Sequence, residues 1–202
     1  MPESIDHVQR VRDAAARKGV TLEIRVFDES THTAADAAAT VDAELGQIVK
    51  SLVFVAPGAD GTLQPVICLV SGPNRVDLAR LAAVTGDQDI RRATAREAQE
   101  LTGFVIGGIP PFGHTRPVRT IMDPDLGRFQ VVWAAAGTPT AVFPVPPATL
   151  RTLANATVAP ITEERRAADR EAAAQARLDA GAPESALAGP VDDGAVTSNA
   201  GA

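Results

Sequence analysis

The sequence predicts a mixed α+β domain, on three observations. Two nearly continuous apolar runs, Ile48 to Ala56 and Leu63 to Ser71, flank the turn PGADG at 57 to 61, which together read as a central hairpin. Thr33 with Asp36 and Thr94 with Glu97 form capping boxes, each opening a helix. Further short β-prone runs follow, separated by Gly and Pro clusters.

The elements follow in chain order. Ser4 to Lys18 places Ile5, Val8, Val11 and Ala15 at helical spacing, with Ser4 as N-cap and Gly19 as the stop. Val20, Leu22, Ile24 and Val26 alternate with polar residues, the pattern of a half-buried strand. The Ala-rich run after Thr33 predicts a helix ending near Gly46. After the hairpin come helices at Val76 to Thr85, closed by Gly86, and from Thr94 to Thr102. Phe104 to Ile106, Val118 to Met122, Phe129 to Ala135 and Thr140 to Val145 read as strands, and Pro147 to Ala154 as a last helix. The expected domain therefore spans 1–163, followed over 164–202 by a charged, helix-prone and then disordered tail with almost no large apolar residues.

Composition narrows the function. The chain has 202 residues, 45% hydrophobic and 22% charged, with a formal net charge of -6. That balance argues against gripping nucleic acid through a broad basic surface, because phosphate binding needs clustered Lys and Arg, but leaves room for a nucleic-acid end held in a pocket. The sole cysteine, Cys68, excludes an intrachain disulfide and points to a reducing compartment. No apolar stretch approaches the roughly 20 residues of a membrane helix, and the first residues carry no signal-peptide pattern. The expectation is a cytoplasmic protein without a membrane partner.

Only Lys18 and Lys50 of the 19 basic residues are lysines, and Lys50 falls inside an apolar strand on the same face as Ile48, Leu52 and Phe54. An ammonium there either snorkels to a strand edge or lines a polar pocket. The segment Gly107-Gly108-Ile109-Pro110-Pro111-Phe112-Gly113-His114 is longer than an ordinary tight turn requires. Its glycines allow close backbone approach and its prolines stiffen it, so it reads as a binding cradle or as a rigid turn. In Trp133-Ala134-Ala135-Ala136-Gly137-Thr138-Pro139, a strand ends in small residues before a turn, which leaves room for a ligand or for packing. His7, His32 and His114 read as surface histidines. The sequence lacks G-x-S-x-G, a phosphate loop, H-E-x-x-H and paired CxxC motifs, so no cofactor and no metal is expected.

These residues carry a resemblance. THTAADAA at 31 to 38, QIVKSLVF at 47 to 54, TGFVIGGIPPFGH at 102 to 114, the Asp123 region and WAAAG at 133 to 137 resemble, in order and spacing, the YbaK/ProX family of aminoacyl-tRNA deacylases, related to the editing domain of bacterial prolyl-tRNA synthetases. The resemblance implies a mixed, partly barrel-like sheet surrounded by helices. It implies Lys50 as the pocket lysine, Gly107 to Pro111 as the Gly-x-x-x-Pro loop, and Ala136-Gly137 as the small pair on the facing wall. Ala135 stands where some members carry serine.

The implied reaction is hydrolysis of the ester joining a wrong, small amino acid such as Cys or Ala to tRNA, with tRNA(Pro) the expected carrier. On this reading the amides of Gly107, Gly108 and the loop through Gly113 hold the carbonyl, and Lys50 anchors the terminal ribose or phosphate. Ile48, Leu52, Ile109 and Phe112 form a steric filter, and Arg116 and Arg119 read as solvated charges or as phosphate contacts. The partners would be the acceptor end of an aminoacyl-tRNA and an aminoacyl-tRNA synthetase. Two rival readings are a noncatalytic nucleotide or aminoacyl-binding module and a synthetase-associated interaction protein.

Overall fold

A computed structural model describes residues 2–28, 33–58 and 60–163. The helices are α1 (Pro2–Ala16), α2 (Ala34–Val41), α3 (Leu78–Thr85), α4 (Ala95–Thr102) and α5 (Pro147–Ala154). The strands are β1 (Arg25–Val26), β2 (Ile48–Pro57), β3 (Leu63–Ser71), β4 (Arg91–Arg92), β5 (Arg119–Met122), β6 (Val132–Ala135), β7 (Ala141–Val145) and β8 (Thr157–Val158). Both capping boxes form: Thr33 and Thr94 accept from the amides of Asp36 and Glu97, whose carboxylates reach back to the cap amides. His32 and the tail over 164–202 lie outside the described residues.

The hairpin is the centre of the sheet. β2 and β3 pair antiparallel without interruption from Val49↔Ser71 to Pro57↔Leu63. Outward from it the order is β1-β7-β6-β2-β3-β5-β8, with β2–β6, β3–β5 and β5–β8 parallel. The path ends at β1 and β8, so the mixed sheet stays open. The larger core packs Val11 and Ala15 of α1, Phe104, Phe112 and Phe143 against one side of the hairpin. A second core, with Leu81 of α3 and Ile161, covers the other side, and a third joins Ala38 and Val41 of α2 to Ile48 and Trp133.

Strand β2 has one incompletely paired edge. On the edge away from β3 it is paired at both ends but not between: Ile48 and Val49 pair with β6, and Phe54 and Val55 pair with β4. Val53 still accepts from the Ala93 amide at 3.0 Å, so the edge left without a ladder partner among the described residues is 50–52, and there it opens into a slit.

Several sequence expectations change. Ser4 lies inside α1 and does not cap it, and α3 begins at Leu78 behind an Asp77 cap and not at Val76. The alternating segment 20–26 forms a ladder only at Arg25 and Val26, opposite Val142 and Ala141. Leu22 is buried as its pattern requires, so the alternation reported burial and not pairing. The helix after Thr33 stops at Val41, because Asp42 turns left-handed at φ 54°. Phe104 to Ile106 is not a strand. Phe104 is buried, Val105 and Ile106 are 38% and 57% exposed, and the Gly108 amide closes a turn onto the Val105 carbonyl at 3.0 Å. Strand β6 begins at Val132 and not at Phe129.

Candidate active site

The slit in β2 is the floor of a cleft of about 250 Å³. Helix α2 forms one wall with Thr33, Ala34, Ala37 and Val41, while Trp133, Ala134 and Ala135 of β6 form another. The turn Ile106-Gly107 with Ile109, and Thr138-Pro139 beside it, close the rim. Arg92 of β4 stands at the remaining end. Polar groups therefore converge on an otherwise apolar hollow, the usual composition of a small-molecule site.

Lys50 lines this cleft and is half-buried. Its Nζ donates one hydrogen bond to the main-chain carbonyl of Asn74 at 2.6 Å, and among the described residues this leaves two of the three ammonium N–H groups for a ligand. Burial pushes its pKa below the ordinary lysine value, Arg92 and Arg75 add repulsion in the same direction, and Asp123 opposes them. Next to it, the Ser51 hydroxyl is buried in the cleft wall with no hydrogen-bond partner among the described residues.

The sequence-predicted site residues divide into two layers. Ile48, Lys50, Leu52, Gly107, Ile109 and Ala135 line the cleft. Gly108, Pro110, Pro111, Phe112, Gly113, His114, Ala136 and Gly137 do not, and instead build the support behind it. Phe112 is in the core, edge-on to Phe143 at 5.8 Å, so it cannot act as a filter on the cleft contents. The Gly108 amide is donated to Val105, so in this conformation it is not the second donor to a carbonyl oxygen. His114 is held by its Nε2 at 2.8 Å from the Pro110 carbonyl, and burial lowers its pKa; it is a brace of the loop and not a surface histidine.

The support layer explains the glycines. A Cβ on Gly108 would sit 2.6 Å from backbone atoms of Thr138, and one on Gly137 would sit 2.8 Å from the carbonyl oxygen of His7 in α1. Two loops and a helix thus meet backbone to backbone, which fixes the turn that carries Gly107 at φ 89°. Sequence reasoning missed Ser51, Arg92 and the α2 wall, while Thr138 and Pro139 belong to the small-residue segment it singled out. Period-two alternation sets Ser51 on the face opposite Lys50 and cannot reveal an unpaired strand edge, while Arg92 reaches the cleft only because β4 pairs with β2. Arg119 faces elsewhere: it donates to the Thr85 carbonyl at 2.9 Å and pairs with Asp87. Arg116 is exposed and does not line the cleft.

Comparison with known proteins gives one consistent picture. Residues 28–153 match the model of the aminoacyl-tRNA editing domain. The multifunctional Ser/Thr-tRNA deacylase ProXp-y of Escherichia coli K12 is 36% identical over 94 residues, covering 46% of this chain and 56% of that protein. The chain thus spans about half the length of that relative. The proline–tRNA ligase of Stenotrophomonas maltophilia is 33% identical over 112 residues, 55% of this chain and 20% of the ligase. Among solved structures, a candidate trans-editing enzyme for prolyl-tRNA synthetase superposes with a TM-score of 0.71 at 45% identity, covering 78% of this chain and 98% of that one. No helix among the described residues is long and apolar enough to cross a membrane. The family model covers more than half the chain, including the cleft-bearing hairpin and both loops that rim it, and this protein belongs to the aminoacyl-tRNA editing domain family.

Proposed function

We propose that the protein is a trans-editing deacylase that hydrolyses the ester between a small, wrongly attached amino acid and the terminal ribose of tRNA, with tRNA(Pro) carrying Cys or Ala as the expected substrate. The observation that carries this reading is the Lys50 ammonium, with two N–H groups free among the described residues, at the floor of an apolar cleft beside the Gly107 turn. Two of the relatives above bear names of editing or deacylation, and a third is a prolyl-tRNA ligase.

In this reading the amino-acid side chain rests against Ala34, Ala37, Val41 and Trp133, a wall whose small residues suit a small substituent. The exposed Gly107 amide donates to the ester carbonyl oxygen. Lys50 donates to the ribose or its phosphate and offsets the negative charge that develops, and Arg92 contributes at the same end. Water attacks the carbonyl carbon, the tetrahedral intermediate collapses, and the ribose oxygen leaves with a proton taken from solvent. The products are the free amino acid and tRNA. An activated ester requires positioning and one or two such donors, not a nucleophile of the protein.

The test is a panel of Ala-, Cys-, Ser-, Thr- and Pro-charged tRNA(Pro) incubated with the wild-type and Lys50→Ala proteins. Hydrolysis of a small noncognate ester is expected, with Lys50→Ala slower by on the order of 100-fold. Tight binding of the charged tRNAs without turnover of any of them would establish a noncatalytic module instead.

A further inference from the structure

Behind the Lys50 cleft lies a buried carboxylate for which the reaction above has no use. Asp123 follows β5 and is fully buried. Its Oδ2 accepts from the main-chain N–H of Ser71 at 3.2 Å and from the side-chain amide of Asn74 at 2.7 Å. Its Oδ1 accepts from the main-chain N–H of Asp125 at 3.0 Å. The same Asn74 amide group donates to Asp125 Oδ2 at 2.9 Å. A carboxylate removed from water is tolerated when donors surround it in this way.

The consequence falls on Asn74. Its side chain is clamped between two carboxylates while its main-chain carbonyl takes the hydrogen bond from Lys50 Nζ at 2.6 Å. Asn74 lies on the segment between β3 and α3, where its main-chain N–H donates to the Ser71 carbonyl and Val76 forms an isolated bridge to Thr162. We propose that Asp123, acting through Asn74, is a positioning residue that fixes the Lys50 ammonium in the cleft. The catalytic consequence rests on the deacylase reading; the tether itself does not. The negative charge of Asp123 also favours the charged form of Lys50 against the burial and the two arginines that oppose it.

A merely structural role for the clamp, joining the β3–α3 segment to β5, would change stability and nothing specific to Lys50. Two measurements on the full chain separate the roles, using Asn74→Ala and, because Asp123→Asn keeps the shape and an acceptor oxygen, that milder variant as well. Lys18 and Lys50 are the chain's only lysines, so 13Cε-labelled lysine gives two NMR signals, assigned with Lys50→Arg. The tether predicts that in both variants the Lys50 signal sharpens and moves toward the position of a solvated lysine, with Lys18 unchanged. A Lys50 signal unmoved in folded variants overturns the proposal whether or not the protein deacylates tRNA.

The second measurement is a double-mutant cycle on single-turnover deacylation. Asn74→Ala is expected to lower the rate at saturating substrate by on the order of 100-fold, since small misplacements of a reacting group cost that much, with KM little changed. In a Lys50→Ala background it should cost nothing further. Equal losses in both backgrounds would show that Asn74 does not act through Lys50. Failure of the wild-type protein to hydrolyse any charged tRNA would remove the deacylase reading and leave the tether to be decided by the NMR signal.

Discussion

Gly108 lies against the backbone of Thr138 so closely that a Cβ at this position would come within 2.6 Å of the Thr138 Cα. Because the contact is with backbone, no rotamer change relieves it. Gly108→Ala is expected to separate the two loops that rim the cleft and to destabilise the fold by about 1–3 kcal/mol, the usual range for overpacking. At Gly107 a Cβ would meet Pro139 at an ordinary 3.5 Å, but φ is 89°, so Gly107→Ala costs roughly 1–2 kcal/mol through backbone strain. Urea midpoints of the two variants measure this, and deacylation should fall in both.

In the proposed reaction Lys50 anchors the substrate only while charged. Burial lowers its pKa from 10.5, so the ammonium is lost at a lower pH than in an ordinary lysine. After subtraction of the enzyme-free rate, deacylation should decline on the alkaline side before pH 10.5. Lys50→Arg, with a guanidinium that stays charged, should be slower but free of that decline. An enzymatic rate that instead climbs as Lys50 deprotonates would identify it as a general base.

Ser51 presents a buried hydroxyl with no partner among the described residues. An unsatisfied buried polar group costs about 1–3 kcal/mol, so Ser51→Ala is expected to match or exceed the wild type in stability. If substrate supplies the missing partner, KM rises several-fold in the same variant. Lower stability together with an unchanged KM would place the hydroxyl outside the binding surface.

Arg92 and Arg119 are predicted to behave differently although both are exposed arginines of the same sheet. Arg92 lines the cleft, whereas Arg119 is occupied by Thr85 and Asp87. Arg92→Gln should raise KM for charged tRNA and flatten its salt dependence, because a phosphate contact releases counterions. Arg119→Gln should leave both unchanged. Measurement of KM across a salt series distinguishes them.

His114 gives the fold a pH dependence of its own. Its ring is buried beside Phe104 at 6.0 Å with Nε2 on the Pro110 carbonyl, and its pKa lies below 6.5. The unfolded chain therefore binds a proton that the folded chain resists, and stability falls as pH drops from about 6.5 toward the folded-state pKa. His114→Gln, whose amide can still donate to Pro110, should flatten that part of the curve in denaturant titrations at successive pH values.

Much of the fold was legible because its signals are local. Thr33 with Asp36 and Thr94 with Glu97 cap helices by bonds spanning three residues, and the hairpin follows from two apolar runs around one turn. Phe104 to Ile106 misled because apolar, β-prone side chains state a need for burial, whereas a strand also needs a neighbouring edge, and this segment joins no ladder among the described residues. Of the site, Lys50 stood out as a cation in an apolar run, and Gly107 as a glycine in a stiff loop. Ser51, Arg92 and the Asn74–Asp123 clamp gave no local signal.

What the chain order alone determined is therefore which segments become helix or strand, and that a lysine and a glycine-proline loop are exceptional among them. Only the tertiary structure decided that β2 pairs with β6 at one end and with β4 at the other, leaving the edge over 50–52 open beside Arg92, and that the Asn74–Asp123 clamp holds Lys50 from behind. Periodicity reports the side on which a residue is buried. Which strands adjoin, and where they part, depends on packing between distant segments, and no spacing along the chain encodes it.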